Sequence, residues 1–226
     1  MLKADMHMHS KEDKKDIVEY TAKELVDHLA SLNFDVMAFT FHDQSFKSEE
    51  IVEYAKSKGI IVIPGIERRI EGVDILMYNV EHDKAMKVKT LKDLKNIKSE
   101  KSLIIAPHPF FFISSIGKDI EEYINYIDGI EHSAYYTNLL NRNKPALKIA
   151  KKYHKPMVGN SDAHYLYQIG TNYTLVDAEK NIEGVIRAIK KNKIQLNTQP
   201  ISLFKFIKIF ANLIFLAPLK GLKRKA

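Results

Sequence analysis

Two alternating runs in this chain carry residue types that can hold a cation. Asp5-Met6-His7-Met8-His9-Ser10 lies near the start, and Asn160-Ser161-Asp162-Ala163-His164 comes much later. A β-strand points every second side chain to one face, so His7 and His9 can aim at one point, and so can Asp162 and His164. A lone His pair near an N-terminus is commonly a surface accident. The second pair, with single His and Glu residues between the two, points instead to a multi-metal hydrolytic centre. The chain contains no Cys, which excludes disulfides and thiolate sites. Any metal must be held by imidazole and carboxylate, a donor set suited to Zn, Mn or Fe.

Such residues need elements that gather them. Residues 2–8 read as a short strand, and 21–32 as a helix with Leu25, Leu29 and Leu32 on one stripe. Residues 34–40 are apolar and β-rich. Ser48 caps a helix running to Lys58, with Glu49 and Glu50 in its first turn and Gly59 as its stop. Strands are expected at 60–63, 73–78, 103–106, 127–130, 157–159 and 173–176, and helices at 120–126, 143–153 and 182–191. Residues 89–98 read as a lysine-rich, solvated helix. Alternating strands and helices argue for an α/β domain of parallel βα units. The candidate ligands His7, His9, His42, Glu67, His108, Glu131, Asp162 and His164 all fall at or just after strand C-termini. That is the edge where α/β proteins collect catalytic groups.

Six motifs in order carry a resemblance. Asp5-x-His7-x-His9-Ser10, Phe39-Thr40-Phe41-His42-Asp43, Pro64-Gly65-Ile66-Glu67, Ala106-Pro107-His108-Pro109, Asp128-Gly129-Ile130-Glu131 and Ser161-Asp162-Ala163-His164 resemble the PHP family, the polymerase and histidinol phosphatase phosphoesterases. The resemblance implies a distorted (βα)7 barrel with two or three divalent metals at its mouth, and hydrolysis of phosphate esters. Carried over by motif, His7, His9, Glu67 and Asp162 would bind a first metal, Glu67 would bridge to a second held with His108, and His42 and His164 would hold a third, helped by Asp13. The chain departs from the pattern in three places. Phe41 stands where an Asp is usual. The acidic ligand after the first motif must be Asp13 or Asp16. A further ligand for the second metal is not evident, with His82 and His132 as candidates.

The residues make chemical sense on their own terms. Two cations roughly 3.5–4 Å apart can activate water as a nucleophile and clamp a phosphoryl group, so no Ser or Cys nucleophile is needed. Asp162 and His164 are the expected catalytic pair, with His164 serving as a ligand or as the acid for the leaving oxygen. Asp5 shares a strand face with His7, and is expected to orient a ligand imidazole rather than to coordinate. Glu131 could ligate, orient Arg142 or cap a turn, and His132 flanks the pocket with its role open. Arg68, Arg69 and Arg142 are candidate phosphate binders, each set against an ordinary surface role. Phe110, Phe111 and Phe112 could wall the pocket or merely pack a loop, and the same holds for Tyr135 and Tyr136.

The 226 residues (45% hydrophobic, 28% charged) suit one globular domain. Six of the 35 basic residues, and none of the 28 acids, lie in 201–226. The net charge of +7 therefore belongs to the tail, and the near-neutral body gives no evidence for binding duplex nucleic acid. The expected organisation is a hydrolase domain at 1–200 and a basic amphipathic tail at 201–226, in which Lys205, Lys208 and Asn212 share one helical face. That tail reads either as a helix on an anionic membrane surface, or as a helix closing the barrel bottom or a dimer contact. No signal peptide is visible, so the chain reads as cytoplasmic and peripheral at most. The expected activity is metal-dependent hydrolysis of a small phosphomonoester or short nucleotide. Its rivals are a catalytically weak, membrane-tethered module and an amide or lactone hydrolase.

Overall fold

The structure, a computed structural model, describes residues 1–211. Its first strand, β1 (Leu2–Met8), is followed by α1 (Ala22–Ser31), which Thr21 opens through a reciprocal capping box with Glu24. After β2 (Val36–Phe39) comes α2 (Glu49–Ser57), capped by Ser48, whose side chain accepts from the Ile51 N–H. Gly59, at φ +80°, ends that helix as the sequence predicts. β3 (Ile61–Val62), β4 (Gly65–Ile70) and β5 (Val73–Tyr78) follow, then α3 (His82–Lys87). The second half runs β6 (Leu103–Ala106), α4 (Ile120–Tyr123), β7 (Gly129–His132), α5 (Asn143–Lys152) and β8 (Met157–Gly159). It closes with β9 (Asn172–Val176), α6 (Ile182–Lys190), β10 (Ile194–Thr198) and α7 (Leu203–Ala211).

The strands form two five-stranded sheets, in the orders β10-β9-β1-β2-β3 and β4-β5-β6-β7-β8. Pairs β1–β2, β2–β3, β6–β7 and β7–β8 are parallel, whereas β1–β9, β9–β10, β4–β5 and β5–β6 are antiparallel. The described strands give a mixed α/β architecture of two sheets rather than the expected barrel of uniformly parallel βα units, and they form no closed, continuous ladder. One cause is local. Ile70 pairs Val73 across Glu71 and Gly72, both at positive φ (50° and 86°), a two-residue hairpin turn that leaves no length for a parallel crossover.

Two isolated bridges, His42–Glu67 and Met8–Ala163, join the sheets. Both seams carry candidate ligands or their direct neighbours. Close approach there demands glycine. A Cβ on Gly65 would lie 2.9 Å from the Phe39 carbonyl oxygen, and one on Gly159 would lie 2.9 Å from that of Tyr173. Thr174 Oγ1 accepts from the Gly159 N–H and donates to the Gly159 carbonyl, tying β8 to β9.

The 89–98 segment is not a solvated helix. It contains a 3₁₀ turn, Leu91–Asn96, that buries Leu91 and Leu94. Phe41 is fully buried, with its ring 5.7 Å from that of Phe39 and 5.5 Å from that of Phe46. The departure from the family pattern thus fills a core position. Burying such a side chain contributes about 1.5–3 kcal/mol.

Candidate metal centre

The cluster is assembled from six strands, β1, β2, β4, β6, β7 and β8, and the segments that follow them. Residues 5, 7 and 9 alternate onto one face of β1 and its extension, and all three are fully buried. His7 Nδ1 donates to Glu131 Oε1 at 3.0 Å. Glu131 also accepts from Asn160 Nδ2 at 2.8 Å and from the His108 N–H at 2.9 Å. His9 Nδ1 donates to Asp13 Oδ2 at 3.1 Å, and the same oxygen accepts from both Nδ1 and the backbone N–H of His42, each at 2.9 Å. A carboxylate can only accept, so each of these rings carries its proton on Nδ1 and turns Nε2 inward.

Four inward atoms form one set. His7 Nε2 lies 3.5 Å from Glu67 Oε2 and 3.4 Å from Asp162 Oδ1, and His9 Nε2 lies 3.4 Å and 3.6 Å from the same two oxygens. Both nitrogens are buried with no hydrogen-bond partner among the described residues, an arrangement that is costly unless something else satisfies them. Ligands at roughly 2.1 Å around a tetrahedral cation are separated by about 3.4 Å, so the donor set fits a divalent ion. Glu67 Oε1 turns the other way, to His108 Nε2 at 3.7 Å, which leaves Glu67 able to bridge two cations. Glu67 and His108 belong to a second grouping beside His7, but His7 Nε2 has one lone pair and serves only one ion.

A third grouping joins His9, Asp13, Asp16 and His42. His42 Nε2 lies 3.3 Å from Glu67 Oε2. His164 Nε2 lies 2.9 Å from Asp16 Oδ2, while its Nδ1 donates to the Asp162 carbonyl at 3.0 Å. The backbone at this face is held in uncommon conformations, with His108 at φ 28°, Asp162 at 48° and Asp43 at 52°. Left-handed conformations at non-glycine residues cost of order 1–3 kcal/mol each and cluster at functional sites.

Charge makes the cluster self-consistent. Burial opposes protonation of His9, yet its hydrogen bond to Asp13 and the nearby carboxylates of Asp162 and Asp16 lift its pKa to about 9. His164 also reaches about 9, where Asp16 outweighs burial. Burial would raise Asp162, but His7 and His9 hold it down at about 2. Burial would raise Glu67, but the charges of His7 and His42 and the close approach of His108 hold it well below the usual carboxylate range. The cluster behaves as interleaved cations and anions whose protons a metal would displace.

Several expected residues take other places. Asp13 accepts three donors at Oδ2 and the Lys15 N–H at Oδ1, so it orients His9 and His42 while belonging, with Asp16, to the third grouping. Glu131 orients His7 rather than Arg142. Asp5 accepts from the Ser161 N–H at 3.0 Å and clamps the Asp162 loop to β1, while burial pushes its carboxyl up to about 7. His132 alternates to the opposite face of β7 from Glu131, against Tyr136 and Thr198, and leaves the centre. His82 Nδ1 pairs with Ser45 Oγ. Arg68 is buried and ties β4 to α3 and to the loop after β2, through the Ala85 and Val88 carbonyls and Asp43, so it is not positioned for phosphate. Arg69 is paired with Asp74 through both carboxylate oxygens. Arg142 lines a small cavity with His108 and lies over Phe112 at 4.1 Å.

Sequence reasoning passed over two supports. Asn160 accepts from the Met6 N–H and donates to Glu131. Tyr135 Oη donates to the Asp162 carbonyl at 2.5 Å. Asn160 directly precedes Ser161-Asp162 and carried a signal by position; Tyr135 reads from sequence only as a pocket wall or packing residue, and nothing local marks its hydroxyl as a partner of the Asp162 loop.

A family model described as PHP-associated matches residues 141–194, which includes the Asp162–His164 run. Among curated proteins, none matches the chain in sequence. Solved structures do resemble it. A two-domain protein from Bacteroides vulgatus ATCC 8482, containing a predicted PHP-like metal-dependent phosphoesterase, superposes with a TM-score of 0.69 at 18% identity, over 92% of this chain and 68% of that one. PsfC from Pseudomonas syringae PB-5123 gives 0.64 at 16% identity, over 94% and 96%. The lesion-specific endonuclease PfuEndoQ from Pyrococcus furiosus gives 0.57 at 13% identity, over 92% and 66%. At such identities the likeness is one of fold. The chain has a PHP-like fold built around clusters of His, Asp and Glu able to hold metal, and the resemblance drawn from its six motifs stands.

Proposed function

We propose that the chain is a metal-dependent phosphoester hydrolase, with residues 1–200 as its catalytic domain. The observation that carries this reading is the set formed by His7 Nε2, His9 Nε2, Glu67 Oε2 and Asp162 Oδ1, with imidazole–carboxylate separations of 3.4–3.6 Å. His7, His9, Glu67 and Asp162 would hold one divalent ion, Glu67 and His108 a second, and His42, His164 and Asp16 a third, with Zn, Mn or Fe as suitable metals. Bound there, the ions supply a lowered pKa for water and positive charge for a phosphoryl group. Glu131 and Asp13 fix the ligand rings. His164, when not coordinating, holds a proton at Nε2 against Asp16 and can pass it to a leaving oxygen. Arg142, beside His108, offers a guanidinium to the phosphate.

A small phosphomonoester or short nucleotide is the substrate class, acted on in solution or at a membrane surface. The test combines metal analysis with release assays over sugar phosphates, nucleotides, lactones and amides. Two or three ions per chain, and phosphate release abolished by His9→Ala or Asp162→Ala, support the reading. One ion or none without turnover would leave a binding module, and release from lactones or amides alone would reassign the cluster to carbonyl chemistry.

A further inference from the structure

We propose that the outer face of α7 is a docking surface for an anionic phospholipid bilayer. The inner stripe of the helix is already used. Phe206 and Ile209 are buried against Tyr135, with Phe111 and Ile201 packed beside them. The outer stripe is apolar as well, with Leu203 51%, Phe204 79% and Ile207 57% exposed. Lys205 and Lys208 are exposed on the same helix. A nine-residue helix that buries one apolar stripe and presents a second one flanked by lysines has the build of an interfacial helix. No described helix is long and apolar enough to cross a membrane.

Charge selects the partner. The sequence beyond α7 adds Lys220, Lys223, Arg224 and Lys225, and residues 201–226 contain no acid. A segment of that composition is drawn to phosphatidylglycerol-like or phosphatidylserine-like headgroups and repelled by a second copy of itself. The anchor of the helix also bears on the centre, because Tyr135 both packs Phe206 and donates to the Asp162 carbonyl. The inference does not rest on the hydrolytic reading.

The test is co-sedimentation of the full chain, with metal removed by chelation, using phosphatidylcholine vesicles with and without phosphatidylglycerol. Pelleting with the anionic vesicles only, weakening as salt rises, is expected. Phe204→Ser/Ile207→Ser should reduce binding by about tenfold or more, and Lys205→Glu/Lys208→Glu should reduce it by a similar factor. Both pairs are exposed, and circular dichroism identical to the parent separates lost docking from lost fold. Absence of pelleting, or equal pelleting by the parent and the Phe204→Ser/Ile207→Ser chain, overturns the proposal. So does a dimer seen by light scattering that dissolves with the same substitutions and ignores vesicles, which would assign the face to a second copy.

Discussion

Glu131 Oε1 accepts a hydrogen bond from His7 Nδ1 at 3.0 Å, and this contact fixes which nitrogen of His7 faces Glu67 and Asp162. Its other oxygen takes the His108 backbone N–H, so one carboxylate sets the ring of one candidate ligand and the backbone of another. Replacing Glu131 by Ala should weaken metal binding roughly 10–100-fold without removing a ligand. Competition with a chromophoric chelator would measure it. Unchanged affinity would mean that the ring is oriented by packing alone.

Metal loading should release protons. His9 and His164 both have pKa values of about 9, raised above the ordinary 6.5 by their carboxylate partners despite burial. Both rings therefore hold protons at pH 7 in the metal-free chain and must lose them to coordinate. The pKa of His7 is likewise pushed well above its ordinary value by Asp162, Glu131 and Glu67 despite burial, so the apparent affinity should rise as pH climbs towards 9, with more than one proton released per chain at pH 7. Titration calorimetry in buffers of different ionisation enthalpy counts them; a buffer-independent heat would contradict the charge assignment.

Phe41 is predicted to serve stability rather than metal binding. Phe41→Ala should cost about 3–5 kcal/mol in urea unfolding, with the metal stoichiometry of the folded fraction unchanged. A fall in metal content at native stability would instead make the position part of the third grouping.

Arg68 and Arg142 should separate cleanly. Arg68→Met removes a charge pair with the partly buried Asp43, which keeps Lys15, and two carbonyl contacts, and should lower stability by about 1–3 kcal/mol while leaving KM little changed. Arg142→Met should raise KM for a phosphoester with little effect on stability. Steady-state kinetics alongside thermal unfolding distinguish the two. Reversed effects would return Arg68 to the phosphate.

Much of this was legible because the signals are local. The period-two spacing of His7 and His9 locates the end of β1, whose bounds match the expectation, and Ser48 and Gly59 bound α2 through capping chemistry. The hairpin of β4 and β5 escaped notice because Glu71-Gly72 lacks the usual Asn-Gly or Asp-Gly signal, so Glu67 was placed after a strand when it lies within one. The antiparallel pairing of β9 with β1 is a long-range choice that no local pattern encodes. Donor residues are recognisable by type, but the roles of Asp13 and Glu131 depend on which side-chain nitrogens reach them. Likewise, the alternation that sends Glu131 inward sends His132 away, and this needs the true register of β7.

Anomalous diffraction from crystals of the manganese-loaded chain addresses the central claim most directly. The account predicts a peak within about 2.0–2.3 Å of His7 Nε2, His9 Nε2, Asp162 Oδ1 and Glu67 Oε2, and a second on the His108 side of Glu67. Ions bound only elsewhere, or these four residues too far apart to share one, would contradict it.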